Sequence, residues 1–117
     1  MTGINQHFRT LELAIQFAHE NHRVTGQNLA NENTPHYKAR EVSFDQFLEK
    51  VNQPKTTVAD ITQIPIRQVE GLTERADGNN VDLERELAMM KKNSMVHQTL
   101  TQLLSSKMGI LNRAMRS

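Results

Sequence analysis

The stretch "LERELAMMKKNSMVHQTLTQLLSSKMGILNRAM", residues 83–115, decides the fold. In it Leu83, Leu87, Met90, Ser94, His97, Thr101, Leu104, Met108, Leu111 and Met115 recur at alternating spacings of four and three. That alternation lines residues along one narrow stripe of a helix. Val96, Leu100, Leu103 and Ile110 widen the stripe into a broader apolar face in its last third. Asp82 stands where a cap belongs, with Val81 before it. Glu84 and Glu86 fall in the first turn, where the free N–H groups of a helix favour anions. No acidic residue follows Glu86, whereas Lys91, Lys92, Lys107, Arg113 and Arg116 do. This is one long helix, and it needs a partner along its length.

The partner stands at the other end of the chain. Ile4, Phe8, Leu11, Ile15, Ala18, His22, Thr25 and Leu29 repeat with the same alternation. At about 1.5 Å per residue the two helices are rods of roughly 45–50 Å. The strongest seam residues are Phe8, Leu11 and Ile15 on the first rod. On the second they are Leu87, Met90, Leu100, Leu104, Met108 and Leu111. Set antiparallel, Ile4 meets Met115, Phe8 meets Leu111, Leu11 meets Met108 and Ile15 meets Leu104. The same register sets His22 against His97 and Thr25 against Ser94. Polar layers of this kind fix register at a cost in stability. Met90, Met108 and Met115 read as seam rather than as a promiscuous binding surface.

Between the rods the pattern changes. Ser43, Phe44, Asp45 and Gln46 fit a capping box, and Phe44, Phe47, Leu48 and Val51 give one short amphipathic helix. Residues 52–80 hold Pro54, Pro65, Gly71 and Gly78 with scattered β-branched residues. Within them "TQIPIRQVE" predicts a short extended segment, at an edge because of Pro65. The rest reads as loop. The expected fold is all-α: an elongated antiparallel coiled coil of the two terminal helices around a small irregular middle with a short β segment. Its divisions are residues 1–33, 34–81 and 82–117.

Bulk properties narrow the function. A chain of 117 residues is one domain at most. Fourteen basic and thirteen acidic residues give no global field to draw it to nucleic acid or an anionic membrane. Four Phe, one Tyr and no Trp leave little for a thick globular core. Without cysteine there is no disulfide framework and no thiolate chemistry. The N-terminus lacks the basic segment and unbroken apolar run of a secretory signal peptide. No stretch reaches the roughly 18 apolar residues of a membrane-spanning helix. The chain is expected to be soluble, or exported by a route that needs no such signal.

The bend after the first helix is the chemically dense stretch: "NLANENTPHYKAR", residues 28–40. Thr34 precedes proline and is pushed out of helical geometry, so the helix must stop near Asn33. Asn28, Asn31 and Asn33 carry amides for the orphaned carbonyls and turn amides beyond, or for a neighbouring chain. Residues 37–42 read as extended, with a backbone edge to offer a partner.

Sharper chemistries fit poorly. His19 and His22 in "HENH" share a face, but the metalloprotease spacing is H-E-x-x-H. A structural zinc takes four ligands, so this chain would need His7, His36 or His97 as well. No metal or cofactor is expected. Ser43, Ser94, Ser105 and Ser106 have no activating motif, and no catalytic residue is assigned. The basic C-terminal charges are sparse and lack aromatics for stacking, so nucleic acid is not an expected partner, and neither is a small-molecule substrate.

The residues do resemble something. "NLANENTPHYKAR" is similar to the signature near the N-terminus of bacterial flagellar rod and hook proteins. "GNNVDLERELAMMKKNSMVHQTLTQLLSSKMGILN" resembles the C-terminal segment of that family. The closeness of "NTP" to "YKAR" and the "NNVDLERE" helix start point to the proximal rod branch, the FlgB type. One departure is His36, where the family usually has glycine. Glycine suits a turn of positive φ, whereas histidine favours a type I geometry.

The resemblance implies a structural subunit of the flagellar basal-body rod, not an enzyme. It implies export through the flagellar type III apparatus without a cleaved signal, and polymerisation in the periplasm into the rod that carries torque for motility. The implied partners are other copies, other rod proteins, and proteins of the base and export gate. It further implies that Asn28, Leu29, Asn31, Asn33, Thr34, Pro35, Tyr37 and Lys38 help join subunits. The competing reading is a soluble coiled-coil adaptor or chaperone that binds a partner helix. With two narrow seams and few aromatics, the isolated chain is expected to be partly folded and to complete its helices on assembly.

Overall fold

A computed structural model describes residues 2–116, and the side chains of residues 6–116. Ile4, expected opposite Met115, lies outside the described side chains. In chain order the elements are α1 (Thr2–Ala30), β1 (Arg40–Val42), α2 (Phe44–Val51), α3 (Val58–Thr62), β2 (Ile66–Gln68) and α4 (Leu83–Arg116). The two terminal helices hold 29 and 34 residues, so they run for about 44 and 51 Å. They lie antiparallel, and the molecule measures 65 × 25 × 18 Å. Its radius of gyration is 17.5 Å, where a compact chain of this length would have about 13 Å. The fold is mostly α and elongated, as the sequence predicts.

The core, however, is not in the seam between the rods. It gathers Leu13, Phe17 and Val24 of α1 with Val42, Phe47, Ile61 and Ile64 of the middle segment. Phe17 stacks on Phe47 with ring centroids 4.3 Å apart, and Phe44 leans on both. Fully burying side chains of this size contributes roughly 1.5–3 kcal/mol each. The expectations of a loop-like middle and of little core therefore need correction. Residues 52–80 include α3 and β2, and Ile61 and Ile64 anchor them. The reason is that α1 carries two apolar faces, nearly opposite one another. Leu11, Ile15, Ala18 and His22 look toward α4, while Leu13, Phe17 and Val24 take the middle.

Local chemistry places the middle elements. Ser43 Oγ accepts from Gln46 N at the start of α2. At the start of α3 the Asp60 carboxylate accepts from Thr57 N and Oγ1. The Thr57 backbone N–H holds that carboxyl below the usual aspartate value. Arg9 reaches from α1 to the carbonyls of Thr56, Val51 and Gln53. β1 and β2 pair antiparallel, with Glu41 opposite Arg67. β2 falls inside "TQIPIRQVE" beside Pro65, on the edge the proline requires.

The seam of α4 is also rotated from its expected position. The stripe facing α1 is Glu86, Met90, Asn93, His97, Leu100, Leu104, Lys107 and Leu111, all buried or half-buried. It keeps the four-three alternation but takes one set of positions a residue earlier. Leu87 and Met108 lie outside it, 51% and 58% exposed. Phe8, Leu11 and Ile15 are half-buried along the facing side of α1. Phe8 and Leu111 line one hollow, and His22 and His97 line another, as the antiparallel register predicts. Thr25 meets Asn93, whose Nδ2 donates to Thr25 Oγ1 at 3.4 Å, whereas Ser94 is exposed. The polar layer is there, one residue off.

Candidate functional site

The bend is built around Asn28, which is 1% exposed. Its Oδ1 accepts from Arg40 N at 3.0 Å and its Nδ2 donates to Arg40 O at 2.8 Å. One side chain thus supplies both halves of a strand ladder, along the edge of β1 away from β2. Tyr37 OH donates to the same Oδ1 at 3.0 Å, and Nδ2 also reaches Glu86 Oε2 at 3.2 Å. A helix end, a strand and the start of α4 are therefore tied to one amide.

A second strand-like stitch comes from the loop before α4. Asn80 Oδ1 accepts from Ala39 N at 2.7 Å, and Asn80 N donates to Tyr37 O at 3.2 Å. Its neighbour Asn79 is fully buried. Asn79 Nδ2 donates to Asn31 O and Thr34 O, both at 2.9 Å, and its Oδ1 accepts from Val81 N. The carbonyls of Gln27, Asn28 and Leu29 at the end of α1 accept from the N–H groups of Asn31 and Glu32, and Asn79 ties down the turn that follows. Asn31 turns back on its own helix, donating to Gln27 O, and accepts from Thr34 Oγ1. His36 N donates to Asp77 O at 2.9 Å.

His36 itself has φ 66, in the left-handed region. The type I geometry expected for histidine is not adopted. The turn keeps the backbone that glycine would suit, and histidine bears the strain. Across from it Gly78 has φ 83, and a Cβ there would lie 2.5 Å from His36 Nδ1. The two loops meet too closely for a second side chain.

Charges close the clasp. Buried Glu86 accepts from Arg85 Nη1 at 2.8 Å, and Arg85 also faces Glu41 at 3.7 Å. Glu41 pairs in turn with Arg67 across the two strands at 3.2 Å. Lys38 Nζ donates to Glu74 Oε1 at 2.8 Å and to Gly78 O. That ammonium holds the Glu74 carboxyl below its usual value. At the head of α4, Asp82 Oδ1 accepts from Arg85 N as the expected cap.

Of the eight residues singled out in the bend, Asn28, Asn31, Thr34, Tyr37 and Lys38 spend hydrogen bonds inside the chain. Leu29 is half-buried, and Asn33, Thr34 and Pro35 form an exposed tip. Sequence reasoning missed Asn79, Asn80, Asn93 and Glu86 as buried polar residues. The "NN" pair was visible, but it read as a lead-in to the α4 cap. His19, His22 and His97 line a hollow of about 170 Å³ with Asn93, Ser94 and Gln98. Among the described residues no group of three or more histidines or carboxylates is placed to hold a metal ion.

Fold and clasp together define an elongated protein of two long antiparallel helices, tied at one end by a dense polar site. Flagellar basal body rod protein FlgB of Aquifex aeolicus is 36% identical over 110 residues, covering 87% of this chain and 86% of that protein. The FlgB of Aeromonas hydrophila is 28% identical across 97% of this chain and 91% of its own length. That of Bacillus subtilis is 26% identical across 88% of each. No protein-family model matches the sequence. The chain belongs to the FlgB family of flagellar basal-body rod proteins.

Proposed function

We propose that this chain is a structural subunit of the proximal rod of the bacterial flagellar basal body, polymerising to carry torque for motility and catalysing no reaction. The observation that carries the reading is the 36% identity to a rod protein over nearly the whole of both chains. The shape supports it: two antiparallel helices of about 44 and 51 Å are tied together at one end by the clasp. The subunit works in the periplasm, delivered by the flagellar export apparatus without a cleaved signal. Its partners are further copies, the other rod proteins, and proteins of the base and export gate. Asn33, Thr34 and Pro35, on the exposed tip, meet the neighbour, while Asn28, Tyr37 and Lys38 hold the tip in shape.

A flagellated host lacking its own rod gene tests this directly. The chain should restore swimming, and it should be recovered in purified basal bodies at the mass of the uncleaved chain. A chain that stays in the cytoplasm bound to a helical partner, with no trace in basal bodies, would instead be the coiled-coil adaptor.

A further inference from the structure

All thirteen acidic residues lie at or before Glu86. Residues 1–86 carry nine basic and thirteen acidic groups, a formal net −4, while residues 87–117 carry five basic and no acidic groups, net +5. The start of α1, which runs beside the end of α4, adds Arg9 and Glu12, and these cancel. Lys91 and Lys92 lie alongside the body and bring it to −2, so a molecule 65 Å long has a weakly acidic body and a basic tail made by Lys107, Arg113 and Arg116.

The helix that forms the tail is also apolar on two flanks that α1 does not cover. One flank carries Leu87, Met108 and Met115, and the other carries Val96, Leu103 and Ile110; all six are exposed. They are not alike. The second flank runs into a groove of about 390 Å³ between α1, α2 and α4, walled by half-exposed Phe44 and by Val96 and floored by Ala14 and Ala18. Glu41 and Lys92 reach into that groove, and exposed Asp45 and Glu49 stand beside it on α2. The first flank is a ridge of flexible methionines, which fit irregular apolar hollows.

A symmetric pair could seat each ridge in the other copy's groove and would then stop at two, whereas a head-to-tail step leaves one ridge and one groove open and adds further copies, as a rod requires. Tails packed side by side in register would set Lys107 against Lys107 and Arg116 against Arg116. A tail displaced onto the next body meets acid instead. We propose that the ridge of Met108 and Met115 in one copy seats in the Phe44 and Val96 groove of a second copy, head to tail. This rests on the rod-subunit reading and names the surfaces through which copies meet.

Two double variants test it. Met108→Asp with Met115→Asp removes the ridge, and Val96→Asp with Leu103→Asp breaks the flank of α4 that walls the groove. All four side chains are exposed, so both variants should keep the helical spectrum of the parent. In low salt the unaltered chain should sediment beyond a dimer, and added salt should weaken that association. Either variant alone should associate at least roughly tenfold less tightly. An equimolar mixture retains one intact interface per pair and should stop at a dimer of one copy of each. A mixture that stays monomeric overturns the proposal, as do variants that associate like the parent or a parent that does not associate. Restoration of swimming by the unaltered chain judges the rod reading separately, so the two can fail independently.

Discussion

His36 is the sharpest single-residue test of how the clasp is made. Among the described residues it alone, apart from glycine, has a positive φ. Left-handed backbone costs a residue with a Cβ about 1–2 kcal/mol, while glycine would lose more freedom on folding. His36→Gly should therefore change stability by less than about 1 kcal/mol. Gly78→Ala should cost about 1–3 kcal/mol, because it adds both backbone strain and a clash with His36 Nδ1. In the His36→Gly background only the strain remains, so Gly78→Ala should cost less there. Thermal melts of the four proteins give the coupling. Equal cost in both backgrounds would mean that His36 is not what excludes a side chain at Gly78. The sequence exposed the density of amides in this bend but not their direction. Asn28 could have faced a neighbouring chain, and only the return of residues 39–41 past its side chain decides that it faces inward.

At the scale of elements, the face each helix buries is the quantity to measure. Phe47→Ala removes the ring stacked on Phe17 and opens the core, and should cost about 3–5 kcal/mol in urea unfolding. Leu87→Gln changes an exposed residue and should stay within about 0.5 kcal/mol. A large loss at Leu87 would put α4 back in the orientation its heptad suggests. Both long helices and their antiparallel pairing were legible because alternation over eight or more positions has few other readings. The orientation of α4 was not. Glu86 and Asn93 are polar, so a pattern scored on apolar residues passes over them, yet Asn28 and Thr25 draw them inward. The second face of α1 was hidden for a related reason. Leu13, Phe17 and Val24 sit between the seam positions and look like a blurred single stripe until Phe47, Ile61 and Ile64 supply something for them to pack on.

Across the whole molecule the covering is uneven. From Leu13 to Asn28, α1 is flanked by α4 on one side and by the middle segment on the other. Toward the far end, α4 has only α1 beside it. The expectation that the isolated chain is partly folded therefore takes a graded form. Amide hydrogens from Leu13 to Asn28 and at the core positions Phe47 and Ile61 should be slowest. Those from Leu103 to Met115 should exchange within the shortest labelling times and become protected on assembly. Uniform slow exchange to the end of α4 would mean that the rod end is stable without neighbours.

The two short strands have a consequence for what this chain avoids. A bare strand edge in a subunit kept at high local concentration invites cross-chain ladders and amyloid-like aggregation. On the outer edge of β1 the side-chain amide of Asn28 occupies both the N–H and the carbonyl of Arg40. That of β2 is three residues long, preceded by Pro65 and carrying Arg67. Strand pairing between chains is thereby hindered at both edges.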